Sequence, residues 1–464
     1  MTAAQAGIPT GLRYTDKTDL GPRLGFAWRP YANDKTVLRG GWGRFIETPL
    51  GFSLVSGWAV HSSYVATYNQ DFQSDGVTPL LSFTNPFNTA ADNPSGTAGF
   101  YYAFPIHYKD PTVQQWNVTV EQDLGHDIGM RLSYTGSHGA NLETMVDLNQ
   151  VGANSIGYTN TDPAPPATGA CISDGGSLVS DHRPYPCWSV IQSVENAAES
   201  NYNSGTVEVS RHSGKTISFD ASYNYTRDLS DAGGATPNAF AVAGGTYLTD
   251  RFHPGPDYGN VIFDRRHRLL ATYLYSLPFG RGERWLSSNN PLSTVLGNWQ
   301  LAGVTILQSG PFLTPYQQSV DPANTNILTT VGQARPDQLK NASLYAASRT
   351  TTQWLNLAAF PYQNLAHNYG TSNQVGIGRF GSAPVGGVVG PATANFSLSL
   401  MRTIALHEQT HLQLSLEAAN IFNHRNYEPP NMQVDSIGFG SITALQTAEG
   451  AGPRSLEAAG RITF

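Results

Sequence analysis

Asp264, Arg265, Arg266 and His267 stand side by side in FDRRHR, the densest polar cluster of the sequence. Adjacent carboxylate, guanidinium and imidazole groups could serve acid–base or phosphate chemistry. The plainer reading sets them at the outer start of a strand, paired with one another and with loop charges. Glu417 lies on the polar side of HLQLSLEAA, where a carboxylate is solvated rather than catalytic. GIGRFG (376–381) and GGWGRF (40–45) hold closely spaced glycines. A dinucleotide loop needs such glycines between a strand and a helix, with an acid about 20 residues on. No helical pattern follows either, so both read as turn and strand glycines.

Asp321, Asn324 and Asn326 in DPANTN, and Asp257 in HPGPDYGN, could offer oxygen ligands to calcium. They lack the spacing and terminal Glu of a helix–loop–helix site. His253, His407, His411 and His424 are dispersed, with no HExxH pair for zinc, and no GxSxG elbow marks a nucleophile. The expectation is no enzyme, no catalytic residue, no metal site and no cofactor. Cys171 and Cys187 lie within TDPAPPATGACISDGGSLVSDHRPYPCW. A disulfide closing a surface loop is the favoured pairing, with two unpaired thiols the alternative.

Charged residues make up 13% of the chain, against roughly 25% in a typical soluble domain. Aromatics reach 11%, and 47 glycines and 29 prolines supply turns. This balance suits a strand-rich protein with extensive loops. A net charge of −7 with no basic run argues against a nucleic-acid partner. Mean hydropathy is −0.29, and no run approaches the ~18 apolar residues of a membrane-spanning helix. A β-barrel escapes that test, because it spans with segments of about 10 residues of alternating polarity. The opening MTAAQAGIPTGLRYTDK has neither a basic nor an apolar leader region, so no signal peptide is expected there.

Alternation is the dominant pattern. In TISFDASYNYT, Ile217, Phe219, Ala221, Tyr223 and Tyr225 share one side of a period-two pattern, with Ser218, Asp220, Ser222, Asn224 and Thr226 on the other. Only a strand with one apolar and one polar face produces this. Similar segments are RLGFAWRP, TVLRGGWGRF, QQWNVTVEQ, GMRLSYTG, GTVEVSR, HRLLATYLY, NWQLAGVTILQ, NFSLSLMRT, HLQLSLEAA and the closing SLEAAGRITF, eleven in all.

Connections alternate between short and long. PYAND, DLGHD, RHSGK and IALHE are short, whereas 46–113, 138–204, 227–265, 309–394 and 420–454 are long. Residues 277–297 form a turn of medium length. Outer-membrane barrels show this asymmetry, with short periplasmic turns and long extracellular loops. Trp28, Tyr31, Tyr273, Tyr275, Phe279, Trp285 and Trp299 would then form a girdle near the periplasmic turns. Tyr101, Tyr102 and Phe104 are expected to pack the loops together.

FDRRHRLLATYLYSLPFGRGERW with GNWQLAGVTILQSGPFLTP resembles the barrel of Oar-like TonB-dependent receptors. So do PTVQQWNVTVEQDLGHDIGMRLSYTGSHG and the run from NFSLSLMRTIALHEQTHLQLSLEAANIFNHRNYEPPN to the C-terminus. The resemblance implies an all-β fold over residues 1–464: an antiparallel meander of about eleven long strands. This would be roughly half of a large transmembrane β-barrel, with long extracellular loops. The family's signal peptide, plug and first barrel half have no counterpart here, so the chain is expected to be a truncated product, not transport-competent alone. The implied setting is the outer membrane of a Gram-negative bacterium, and the parent role is uptake of an extracellular solute or surface adhesion.

Implied partners are outer-membrane lipid, the barrel-assembly machinery, and the missing barrel half with its plug, or a partner chain. The TonB complex would be reached only through the absent N-terminal part. Leu456, Ala458, Gly460, Ile462 and Phe464 resemble the C-terminal aromatic signal read by that machinery. The ligand-binding residues are not legible. The competing reading is a secreted or surface-attached β-sandwich-type binding protein.

Overall fold

The computed structural model describes residues 5, 7–10, 14, 16–32, 34–47, 101–103, 105–153, 183–185, 190–212, 216–232, 248–280, 283–287, 291–318, 322–323, 325, 334–361, 379–407 and 410–464. Its strands are β1 (Arg23–Trp28), β2 (Thr36–Ile46), β3 (Tyr101–Ala103), β4 (Thr112–Gly125), β5 (Ile128–Asp147), β6 (Ile191–Arg211), β7 (Ile217–Ser230) and β8 (Gly259–Asn260). They continue with β9 (His267–Ser276), β10 (Trp299–Gln308), β11 (Phe312–Leu313), β12 (Val388–Val389), β13 (Thr393–His407), β14 (Thr410–Ala419) and β15 (Ser455–Thr463).

Eleven of these form a continuous meander, β1-β2-β4-β5-β6-β7-β9-β10-β13-β14-β15. They are the eleven segments expected from alternation, in chain order. Two short strands, β3 and β8, attach at its rim, and β11 pairs with β12 in a separate two-stranded sheet. The meander does not close: among the described residues β1 and β15 each pair on one side only. No second large sheet lies against it among the described residues, so the sandwich reading is set aside.

Register carries the alternation across the whole sheet. Leu24 pairs with Trp42, Trp42 with Trp116, and Val118 with Tyr134. Val207 pairs with Tyr223, Leu301 with both Tyr275 and Leu400, and Leu416 with Ala458. One face is therefore apolar from edge to edge. The other holds Asn117, Thr119, Glu121, Arg131, Ser133, Glu208, Asp220, Ser222, Ser399 and Glu417. A one-residue slip in any pair would reverse its faces, so the apolar surface itself fixes the register.

Turn chemistry agrees. β4 and β5 are joined by His126 and Asp127, with φ of 56° and 62°. A two-residue hairpin with both residues left-handed matches the twist of its strands. The turn from β9 to β10 is built up by a short helix, Pro291–Leu296, and by Phe279 against Trp285 with ring centroids 5.2 Å apart.

Strands β5 and β6 run far beyond the expected hairpin. The long loop expected over 138–204 begins only after Asp147 and ends at Ile191. Their outer ends are buried, with Met145, Val146, Val194 and Ala198 nearly inaccessible. The best-formed apolar core lies in the long loops. Leu313, Leu355, Phe360, Val388, Met432, Val434 and Phe439 pack together there, drawn from the connections after β10 and β14 and from the β11–β12 ribbon.

On the apolar face, large rings lie over glycines of the neighbouring strand. Gly136 pairs with Trp116 and Gly303 with Tyr273. A Cβ at either would fall 2.4 Å from the partner's ring. Gly303→Val is expected to push the Tyr273 ring off the sheet and cost about 1–3 kcal/mol, the usual range for overpacking. Denaturant midpoints of the membrane-extracted protein against its variant measure this.

Candidate functional site

The polar face is the concave one. A cavity of about 540 Å³ opens on it, spanning β7, β9, β10, β13, β14 and β15. Ser218, Asp220, Thr272, Ser399 and Glu417 line it with hydroxyls and carboxylates, and Leu274 and Val304 add an apolar floor. Glu417, expected on the polar side, is therefore a wall residue of this cavity. Nearer the short turns the same face carries a ladder of ions. Arg39 lies 3.4 Å from Glu121, which lies 3.7 Å from Arg131, which lies 3.3 Å from Glu208. Successive residues of opposite charge on adjacent strands suit a wet wall, where ions keep water and still pair.

The last long connection folds in over this wall. Arg268, directed to the concave side beside Gln308, reaches Glu449 at 2.6 Å. Thr393 donates its hydroxyl to Gln446 at 2.7 Å, and the Asn395 amide donates to the Glu449 carbonyl at 2.8 Å. Two buried asparagines shape the connection. Asn420, itself at φ 47°, donates to the carbonyls of His424 and Gly452 at 2.8 and 2.7 Å. Asn426 accepts from the Ala394 backbone N–H at 2.8 Å and donates to the Ala451 carbonyl at 3.0 Å. The asparagines of AANIFNHRNY thus replace a sheet ladder where the chain leaves β14.

A second polar knot ties three loops. Asp147, at the end of β5, pairs with Arg183 at 3.3 Å, both almost wholly buried. It also accepts from the backbone N–H groups of Asn149 and Ile191 at 2.9 and 3.0 Å. The Gln150 amide donates to the Thr249 carbonyl at 2.7 Å. Asp257 accepts from the Thr249 N–H at 2.6 Å and from Arg335 at 2.8 Å. Burial pushes the Asp257 carboxyl above its ordinary range, and Arg335 opposes that shift. Asp257, weighed in the sequence as an oxygen ligand, is therefore an ion-pair partner. The roles of Asp147, Arg183 and Arg335 were not legible in the sequence. Their only signal is charge within loops otherwise poor in it.

The FDRRHR cluster keeps its charges engaged locally. Asp264 accepts the Thr226 hydroxyl and the Asp228 N–H, and Arg265 donates to the Ile262 and Asp264 carbonyls at 2.9 and 3.1 Å. Arg266 donates to Asn260 at 2.7 Å, and His267 shares a 2.7 Å hydrogen bond with the Tyr223 hydroxyl. Its partners are mostly neutral groups rather than one another. His253 contacts Asp250 and His424 contacts Asn426, far apart in the fold. Among the described residues no three His, Cys, Asp or Glu side chains converge on a metal-sized site. Cys171, Cys187, Phe104, Asp321, Asn324 and Asn326 lie outside the described residues, as do the first three residues of GIGRFG.

The convex face is the apolar one, closed by β15, where Leu456, Ala458, Gly460 and Ile462 pair with Ala418, Leu416, Leu414 and Leu412. Phe464 follows, exposed at the short-turn end. Trp28, Tyr31 and Trp285 are exposed near the same end, as a girdle requires. A model of the outer membrane beta barrel domain matches residues 1–457. The chain belongs to that family.

Solved structures of low sequence identity are also similar to this chain. The outer membrane transporter YddB from Escherichia coli is 8% identical with a TM-score of 0.47, over 94% of this chain and 39% of its own. The FrpB iron transporter from Neisseria meningitidis is 9% identical with a TM-score of 0.37, over 96% and 39%. The siderophore receptor PiuA from Acinetobacter baumannii is 7% identical with a TM-score of 0.37, over 95% and 35%. This chain thus spans less than two fifths of each. No curated protein matches it. Membership of the family places the chain in the outer membrane of a Gram-negative bacterium, with its convex face to lipid and its concave face to the lumen.

Two outcomes follow from this geometry. Ala221→Arg, at mid-band on the lipid face, is expected to cost about 2–4 kcal/mol of folding free energy, whereas Ser222→Arg on the lumen face costs little. Folding titrations in lipid vesicles compare the two. Arg335→Met leaves Asp257 buried and unpaired, at about 3–5 kcal/mol for the local structure. Without Arg335 the Asp257 carboxyl moves higher still, so the loss is full at high pH and shrinks as falling pH protonates it. Limited proteolysis within residues 334–361 across pH reads both the loosening and its sign.

Proposed function

We propose that residues 1–464 are the C-terminal portion of the barrel of an Oar-like TonB-dependent receptor. The parent protein binds and takes up an extracellular solute, or adheres through its surface loops. The observation that carries this reading is the open meander of eleven strands. With every neighbour antiparallel and the count odd among the described residues, β1 and β15 run in the same direction, and there both leave a row of peptide groups unpaired. Hydrocarbon does not accept such rows, so other strands must complete the sheet.

The concave face supports the same reading. Its ion ladder, its mixed cavity and the inward fold of residues 446–452 describe a hydrated lumen narrowed by a loop. Coupling to the TonB complex would pass through the family's plug-bearing segment. The closing residues Leu456, Ala458, Gly460, Ile462 and Phe464 serve as the signal that the barrel-assembly machinery reads.

An antiserum against residues 455–464 tests the proposal in outer membranes of the source organism. The expected species is heat-modifiable and well above the chain's own 50.0 kDa. A heat-modifiable, protease-resistant monomer of 50.0 kDa would overturn it.

A further inference from the structure

We propose that the lipid face of β5, β6, β7 and β9, at its long-loop end, holds a binding notch for a phosphate-bearing lipid of the outer leaflet. Register sets Tyr134, Gly205, Tyr225 and His267 in one row across the four strands. Gly205 is the gap in that row. A Cβ built there meets nothing within 4 Å, in contrast to Gly136 and Gly303, which rings fill. Tyr134 and Tyr225 flank the gap and are 43% and 46% exposed. The row below, Leu132, Val207, Tyr223 and Leu269, continues the apolar band on which acyl chains lie.

Directly above the gap the chemistry becomes cationic. Asn203 pairs with Arg227 in the next row outward, and both are exposed. Among the described residues Arg227 makes no ion pair. Arg266, half-buried and held by Asn260, lies 4.8 Å from the centre of the Phe312 ring and 6.0 Å from that of Tyr225. His267 meets the same ring edge-on at 5.2 Å. Phe263 is exposed nearby in sequence, at the start of the same rim. Tyrosine rings with adjacent basic side chains are what a headgroup layer rewards.

The rim's acids are directed elsewhere. Asp228 shares the lumen-facing parity of Thr226, and Asp264 accepts the Thr226 hydroxyl. Asp231 and Glu199 share the outward parity but stand four residues beyond Arg227 and Asn203, roughly 13 Å further from the bilayer. A phosphate at the notch therefore meets Arg227 and His267 before it meets any carboxylate. Its first acyl carbons occupy the space over Gly205.

The test uses the protein purified from outer membranes and reconstituted into phosphatidylcholine nanodiscs doped with bis-phosphorylated or dephosphorylated lipid A, with native mass spectrometry counting the bound lipid. Phosphorylated lipid A is expected to be retained over the dephosphorylated form. Arg227→Gln should lower its retention about fivefold, the value of one arginine at a charged membrane surface. Gly205→Leu should fill the notch and lower retention of both lipids, with the electrophoretic heat shift confirming that it has folded. If Gly205→Leu does not fold, Arg227→Gln decides alone. Equal retention of the two lipids, unchanged retention in Arg227→Gln, or complete displacement by inorganic phosphate would each overturn the proposal.

Discussion

A peptide N–H or C=O left unpaired in hydrocarbon costs several kcal/mol, and that constraint orders the rest of this chain. It permits only strands that pair on both sides, and pairing makes each side chain face either lipid or lumen. The register from Leu24 to Ile462 is the consequence: one apolar surface, eleven strands wide. Such a sheet needs no second layer, because lipid covers one face and lumen water the other. The interior packing that a soluble domain would place beneath its sheet is therefore found elsewhere.

It is found in the loops. Outside the bilayer the chain must again hide apolar side chains from water, and the cluster of Leu313, Leu355, Phe360, Val388 and Phe439 does so. These residues come from connections dozens of residues apart. Loops without ladders must also satisfy their backbone by other means, since buried peptide groups still require partners. Asn420 and Asn426 serve that purpose after β14, and Asp147 and Asp257 serve it over the long β5–β6 ribbon. The two chemistries divide at the membrane surface, alternation below it and side-chain-to-backbone bonding above.

This division explains what was legible in the sequence. Within the bilayer, period two is imposed on every strand, so TISFDASYNYT and HLQLSLEAA announce themselves. Beyond it the rule lapses. GANLETMVD and IQSVENAAESNYN are strand in the structure, yet their two faces are both buried or both wet, and no alternation marks them. The FDRRHR cluster was legible as a rim element. Its true partners, Thr226, Asn260 and Tyr223, were not, because no local spacing announces them. The knot of Gln150 with Thr249 and of Asp257 with Arg335 joins residues 99 and 78 positions apart, which no local pattern encodes.

The same constraint restricts what can complete the sheet. Because β1 and β15 run in the same direction, a second copy rotated about the membrane normal would set β15 beside the copy's β1 in parallel. Parallel pairing between two neighbouring segments has slanted, slightly weaker bonds, and it would recur at both seams. A copy turned over within the membrane would pair antiparallel, but would place its long loops and their buried core on the periplasmic side. Neither keeps both the ladder and the orientation. A complement with its own odd number of strands, beginning and ending in the opposite direction, keeps both. In the reading proposed above, that complement meets the β15 edge, where Leu456, Ala458, Gly460 and Ile462 face lipid and small Ala458 and Gly460 leave room for larger side chains.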